Sequence, residues 1–246
     1  YCPGIERGSD LSFDLRPVFY ALRHNIYFLQ FEVSDVAIAD VIQLLADAMK
    51  TNATLTKLSL TNLETAYFSA LGKSLTDHLT NAITEIDLSY TTLSDKAVRS
   101  IAGALYNKKF GLRSLKLGYC NISTKSIVVL FREGLAPNSK LSIALEELDL
   151  SGNSLYDEGS ATVRSWIEKI GPRAYLNTLL LAKTHANLEL VLPALPNLSY
   201  IKTLDVSGNP ILTETANHHL CEWAGANSTL QSLNVSNNQM DSSGIA

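Results

Sequence analysis

Apolar residues recur along this chain in one pattern: two apolar positions separated by two variable residues, another apolar position after one more, and usually a fourth five residues later. Within a copy apolar and polar residues alternate, as in Leu148-Asp149-Leu150, which predicts a short strand with one buried face. The eight copies are Ile26-Leu29-Phe31-Val36, Leu55-Leu58-Leu60, Ile83-Ile86-Leu88-Leu93, Leu112-Leu115-Leu117-Ile122, Leu145-Leu148-Leu150-Leu155, Leu176-Leu179-Leu181, Ile201-Leu204-Val206-Ile211 and Leu230-Leu233-Val235-Met240. Subtracting successive first positions gives spacings of 29, 28, 29, 33, 31, 25 and 29 residues.

A helical pattern follows most of the predicted strands. Val98, Ile101, Ala102 and Leu105 fall on one helical stripe, and Ser94 stands where an N-cap is expected. Parallel strands pack ~4.8 Å apart whereas helices need roughly 10 Å, so stacked copies must curve. The pattern therefore predicts an α/β leucine-rich-repeat solenoid, a horseshoe of the ribonuclease-inhibitor type with a parallel β-sheet on its concave face and helices on its convex face.

Residues 1–246 are predicted to form a single leucine-rich-repeat domain of about eight repeats, part of a longer array. A further helix is predicted from Asp14 to Asn25, ahead of the first copy. One aliphatic residue from each of seven copies is expected to be fully buried under the sheet: Leu58, Ile86, Leu115, Leu148, Leu179, Leu204 and Leu233. The ninth position of the copies carries mostly small or hydrogen-bonding residues, which suit a ladder of side-chain bonds to the turns.

Composition narrows the function. A formal net charge of -4 gives no electrostatic reason to bind phosphates, so nucleic acid is not expected as a partner, and no apolar run is long enough for insertion into a membrane. Three cysteines are too few for a disulfide scaffold and indicate a cytoplasmic setting. Five glycosylation acceptor patterns point the other way and are interpreted as turn residues: those at Asn52, Asn121, Asn197, Asn227 and Asn234.

The chain offers no catalytic constellation, and neither a metal site nor a cofactor is expected. His218, Cys221 and Glu222 share one helical face at a spacing that a metal could use. Three ligands on one helix are a minimal set, and Cys221 stands where such helices bury a small residue. Packing is therefore the preferred interpretation, and the protein is not expected to be an enzyme.

The concave face is the predicted binding surface, because side chains between the leucines point towards the inner curve. Tyr90 and Tyr119 occupy the eighth position of adjacent copies and should lie side by side. Tyrosine flanked by acid suits a basic segment of a protein partner. The predicted site comprises Glu85, Asp87, Tyr90, Lys116, Tyr119, Glu147 and Asp149. The alternative is a merely solvated face, since Asp between two leucines is common in such repeats.

Three irregular parts of the array are distinctive: the helix Asp14-Leu15-Arg16-Pro17-Val18 with Ala21-Leu22 and Asn25, the long copy Leu135-Ala136-Pro137-Asn138 through Leu148 to Asn153, and the short copy Thr184 through Leu188-Glu189-Leu190-Val191 to Leu204-Asp205-Val206-Ser207. They resemble one family, the CARMIL proteins, which link actin capping protein, a branched-actin nucleator and myosin-I. The resemblance implies a non-catalytic scaffold for actin-regulatory proteins, located in the cytoplasm at the actin-rich cell cortex. The repeat type alone also allows a ligand-sensing array of an intracellular immune receptor or an enzyme-inhibitor horseshoe.

Overall fold

The computed structural model describes residues 14–35, 40–63, 68–78, 81–109, 111–209 and 213–238. Eight strands form one parallel sheet in which every strand pairs with its neighbours in the sequence. The strands are β1 (Gln30–Ser34), β2 (Lys57–Thr61), β3 (Glu85–Asp87), β4 (Ser114–Lys116), β5 (Glu147–Asp149), β6 (Thr178–Leu180), β7 (Thr203–Asp205) and β8 (Ser232–Asn234). The leucine-rich-repeat solenoid is thus confirmed.

Helices occupy the segments between the strands and pack on one another as an outer layer. They are α1 (Arg16–His24), α2 (Val41–Met49), α3 (Phe68–Asp77), α4 (Asp95–Asn107), α5 (Thr124–Val129), α6 (Ser139–Ala144), α7 (Tyr156–Ile170), α8 (Leu188–Val191) and α9 (Glu214–Ala226). Helix α4 begins as predicted, because the hydroxyl of Ser94 accepts the Ala97 amide N–H at 3.3 Å. None of the helices in these described segments is long and apolar enough to cross a membrane.

The core lies between the sheet and the helices, and six of the seven aliphatic residues expected there are buried in it. The sheet register stacks Leu58, Ile86, Leu115, Leu148, Leu179 and Leu204 in one column. Leu233 is the exception, since 38% of its surface is exposed. It lies on β8, the last strand of the sheet, where no further described strand packs against it.

The predicted register of the first copy is wrong by two residues. Phe31, and not Leu29, pairs with Leu58, so the spacing between the first two repeats is 27 residues. Leu29 and Ile26 are exposed, at 55% and 67%. The error arose because Phe28, Phe31 and Val33 satisfy the same apolar spacing as Ile26, Leu29 and Phe31. Two registers therefore fit the pattern, and only packing selects between them.

The long and the short repeat differ from the others in their outer layer. In the long repeat, between β4 and β5, helix α5 continues into a π-helical turn at Leu130–Leu135 before α6 begins. In the short repeat, between β6 and β7, the four-residue α8 continues as a 3₁₀ helix at Leu192–Asn197. Pro193 and Pro196 lie in that segment, and a proline removes the N–H donor that a continuing α-helix requires.

Both tryptophans belong to the helical side of the core. Trp166 on α7 packs edge-to-face on Phe131, with ring centroids 5.3 Å apart. Its indole N–H donates to the Ser142 hydroxyl at 3.1 Å, so the one polar atom of the ring is satisfied. Trp223 on α9 is also buried.

Candidate functional site

Side chains that alternate with the core leucines form rows across the inner face of the sheet. One row joins Asp87, Lys116 and Asp149 on adjacent strands. A second row, two residues nearer the strand beginnings, joins Glu85, Ser114 and Glu147. The structure therefore places all five predicted charged residues, namely Glu85, Asp87, Lys116, Glu147 and Asp149, on one patch of strands β3 to β5.

Tyr90 and Tyr119 lie at one edge of this patch, in the turns that follow β3 and β4. Their rings are stacked, with centroids 5.0 Å apart and an interplanar angle of 2°. Both residues have a left-handed backbone, with φ of 61° and 56°. On its other side the Tyr119 ring lies over Gly152, where an added Cβ would be 2.7 Å from Cε1 of the ring. The eighth positions of three consecutive repeats thus form one continuous stack.

Neutralisation of charge is uneven across the patch. Lys116 Nζ lies 3.0 Å from Glu147 Oε1, and the Ser114 hydroxyl donates to Glu147 Oε2 at 2.8 Å. Asp149 Oδ1 accepts the Ser151 amide N–H at 2.8 Å, and burial raises the pKa of this carboxyl above its usual value. Glu85 is exposed and makes no salt bridge within the described part of the chain. Among the described residues Glu85, Asp87 and Asp149 make no salt bridge, so the acidity expected around the tyrosines remains on β3 and β5.

Two features of this face were not found from the sequence. In the observed register of the first repeat, Asp35 occupies the eighth position with φ of 57° and accepts a hydrogen bond from Asn62 Nδ2. Near the strand beginnings, at the opposite edge of the sheet, the exposed rings of Tyr175 and Tyr200 lie 5.7 Å apart. Their common place three residues before a strand, at a separation of 25 residues, was the available signal.

Comparison with known proteins agrees with the geometry. Two family models described as Leucine Rich Repeat match residues 144–168 and 226–246. Over 236 residues the chain is 30% identical to Protein CARMIL of Dictyostelium discoideum, a match that covers 94% of this chain and 22% of that protein. The chain is a CARMIL-like leucine-rich-repeat array.

Two further relatives share the repeats. Rho GTPase-activating protein gacW of Dictyostelium discoideum is 24% identical, over 81% of this chain and 18% of that protein. Human NACHT, LRR and PYD domains-containing protein 13 is 27% identical, over 84% of this chain and 17% of that protein. The chain spans about a fifth of the length of these relatives. The repeats and the CARMIL similarity support a protein-interaction scaffold.

The ninth positions of the CARMIL-like array form the expected ladder. Asn153 Nδ2 donates to the Leu117 and Leu150 carbonyls at 2.7 and 2.9 Å, and its Oδ1 accepts the Ile122 N–H. Cys120 occupies the equivalent place one repeat earlier, and its thiol donates to the Leu88 carbonyl at 3.0 Å. Burial raises the pKa of Cys120 to about 12, so this cysteine stays a thiol at neutral pH and serves the turn.

The helical trio considered as metal ligands is arranged differently from the expectation. Cys221 is exposed, and not buried as predicted, because it lies on the outer side of α9. Its thiol contacts Asn217 Oδ1 at 3.8 Å, while His218 Nε2 lies 3.3 Å from Glu222 Oε1. Across the described ranges, no three histidine, cysteine or acidic side chains are grouped closely enough to hold a metal ion.

Asparagines of the glycosylation patterns are used within the fold. Asn52 is buried, and its Nδ2 donates to the Leu22 carbonyl at 2.8 Å. Asn227 Oδ1 accepts the backbone N–H groups of Thr229 and Leu230, each within 2.9 Å. These bonds support the interpretation of the patterns at Asn52 and Asn227 as turn residues.

Proposed function

We propose that this array is a non-catalytic protein-binding module of an actin-cytoskeleton regulator of the CARMIL type, acting in the cytoplasm at the actin-rich cell cortex. The observation that carries the proposal is the stacked pair Tyr90 and Tyr119 beside an acidic strand on the concave face. The cytoskeletal part of the proposal comes from the similarity to Protein CARMIL.

Exposure of the tyrosines supports binding at this place. Tyr90 and Tyr119 are 60% and 39% exposed, although an aromatic ring is usually much more buried. A rigid aromatic pair gives a partner a large contact area at a small loss of side-chain entropy, which is why tyrosine is enriched where binding energy is concentrated. Acidic groups around such an anchor steer a basic segment towards it.

The arrangement of the polar groups supports binding over catalysis. The seven proposed site residues, Glu85, Asp87, Tyr90, Lys116, Tyr119, Glu147 and Asp149, form rows along an open face. A catalytic site brings an acid, a base or a nucleophile together around one point. Here Lys116 is bonded to Glu147, and Asp149 is bonded to the backbone of its own turn.

The test is affinity capture from lysate of the source cells, quantified by mass spectrometry, with three forms of the array. These are the wild type, Tyr90→Ala/Tyr119→Ala, and a matched control, Tyr175→Ala/Tyr200→Ala, which removes two tyrosines at the opposite edge of the sheet. We expect actin-regulatory proteins with the wild type and the control, and their loss with the first variant. Equal capture by all three forms contradicts the concave site, and captured proteins unrelated to actin contradict the cytoskeletal role.

A further inference from the structure

We propose that the concave face takes an extended, arginine-bearing segment of its partner, with one guanidinium lying flat on Tyr90 and a second cation against Glu85 and Asp87. This inference rests on the proposed function and specifies the chemistry of the partner at the same site. It assigns Tyr90, rather than the whole tyrosine pair, as the docking point.

The two rings of the tyrosine stack differ in exposure, with Tyr90 60% and Tyr119 39% exposed. Tyr119 lies between the ring of Tyr90 and the backbone of Gly152, which accounts for its lower exposure. On the other side of Tyr90, the eighth position of the preceding repeat is Asn62. The Asn62 side-chain Nδ2 donates to Asp35, which lies one repeat further from Tyr90. Tyr90 is therefore the more accessible ring of the stack, and a planar group on its exposed surface would extend the stack by one layer.

Charge selects a cation for that layer. Two carboxylates elsewhere on the face are held by bases: Glu32 Oε1 of β1 lies 2.7 Å from Lys57 Nζ, and Glu147 Oε1 of β5 lies 3.0 Å from Lys116 Nζ. Glu85 and Asp87 of β3 form no salt bridge among the described residues, although both carboxylates act electrostatically on Lys57. Asp87 Oδ1 accepts the Ser89 N–H at 2.9 Å. Negative charge thus remains on the strand that leads into Tyr90.

Strand geometry specifies an extended partner. Glu85 and Asp87 point from the same face of β3 and are two residues apart, which is roughly 6.6 Å along the strand. An extended segment presents alternate side chains at that same spacing. Arginine satisfies both parts of the site, because its guanidinium stacks on an aromatic face and binds carboxylates in a bidentate manner, whereas the lysine ammonium is a compact, strongly hydrated charge.

The experiment compares two probes, a short glycine peptide with three arginines at alternate positions and the same peptide with lysines. Each is titrated into the array carrying ¹³C-labelled tyrosine, and binding is followed by NMR of the ring signals. We expect the arginine peptide to bind about fivefold more tightly, as a cation–π contact of ~1 kcal/mol requires. We also expect the preference to persist at high salt, because stacking is screened less than exposed charge.

Variants separate the stack from the charges. In Tyr90→Asn, whose new residue tolerates the left-handed backbone, we expect the arginine preference to disappear, with Tyr175→Ala as the control that keeps it. In Glu85→Gln/Asp87→Asn we expect both peptides to bind more weakly by a similar factor. Equal affinity of the two peptides for the wild type, or a preference that survives in Tyr90→Asn, overturns the inference. If partners are still captured through Tyr90 and Tyr119 in that case, the proposed function stands with a different partner chemistry.

Discussion

The turns after β3 and β4 and the turns after β5 and β7 have the same backbone but different side chains. Tyr90 and Tyr119 adopt φ of 61° and 56°, where Gly152 and Gly208 adopt 69° and 66°. A left-handed backbone costs a residue with a Cβ roughly 1–2 kcal/mol, and stacking of the rings returns about 0.5–1.5 kcal/mol. Glycine meets the demand of the turn without strain. The tyrosines are therefore not required by the fold, which is consistent with selection for a surface role.

The largest loss of stability is expected from substitutions in the core beneath the turns. There the tyrosine turns and the glycine turns should give equal losses. Leu115 lies under the tyrosine turn after β4, and Leu148 lies under the glycine turn after β5. Both are completely buried, so Leu115→Ala and Leu148→Ala should each cost ~2–5 kcal/mol. Urea denaturation measures both losses. The exposed Leu233 provides the control, and a loss for Leu233→Ala as large as for the other two contradicts this account of the core.

A second prediction addresses the ninth position, where the glycine turn has Asn153 and the tyrosine turn has Cys120. Asn153→Ala leaves the Leu117 carbonyl and the Ile122 N–H without their partner, while the Leu150 carbonyl keeps the backbone N–H at position 153, so we expect a loss of roughly 2–3 kcal/mol. Cys120→Ala removes one weak thiol donor and should cost about 1 kcal/mol. Equal midpoints in chemical denaturation of the two variants contradict the stated role of the asparagine ladder.

Replacing the glycine of a turn by a residue with a Cβ should lower the free energy of unfolding by an intermediate amount. Gly152→Ala introduces left-handed strain, and its new Cβ meets the ring of Tyr119, so we expect a loss of about 1–2 kcal/mol and a displaced tyrosine stack. Thermal unfolding measures the loss, and tyrosine NMR reports the displacement. Gly225→Ala is the matched control, because a Cβ added there meets no described atom within 4 Å outside its own stretch of α9, and alanine favours a helix.

The reverse exchange should change stability least. Tyr90→Gly removes strain and stacking together, so the free energy of unfolding should stay within about 0.5 kcal/mol of the wild type. The same substitution should abolish capture of the partner. A clear loss of stability in Tyr90→Gly would mean that the tyrosines stabilise the fold and that tyrosine and glycine are not interchangeable in these turns.

Cys120, in the tyrosine turn after β4, and Cys221, on α9, should differ in their reactivity towards an alkylating agent. At pH 8 the Cys120 thiol is protonated, since its pKa is about 12, and it is buried, so iodoacetamide should not modify it in the folded protein. Cys221 is exposed and should react readily. Alkylation followed by peptide mass spectrometry distinguishes the two sites. Modification of Cys120 before unfolding would show that its turn opens locally.

The sequence periodicity predicted the repeats well because the same apolar spacing, which indicates burial, recurs in every copy. It failed at the first strand, where Phe28-Phe31-Val33 and Ile26-Leu29-Phe31 both satisfy the spacing. It also failed at Leu233, since burial there depends on what covers the last strand of the described sheet.

At the candidate site the sequence predicted which residues surround Tyr90 and Tyr119, but not which of the charged side chains pair with one another. The pairing of Lys116 with Glu147 requires knowledge of side-chain direction, which a one-dimensional pattern does not contain. The left-handed backbone of the two tyrosines was also not predicted, because tyrosine is not a residue type that favours this conformation. Whether the seven residues bind a partner stays a prediction.

The location of both tryptophans in the helical layer gives the protein an optical signal that is separate from the sheet. Trp166 and Trp223 are the only two tryptophans of the chain, and both are enclosed by the helical layer. Their emission, excited selectively at long wavelength, therefore reports the integrity of that layer and should not respond to a ligand on the sheet. The Tyr90–Tyr119 stack lies on the opposite face, and the difference in tyrosine absorbance between the wild type and Tyr90→Gly isolates its contribution from that of the other tyrosines. Binding and unfolding can thus be followed by separate signals in the unlabelled protein.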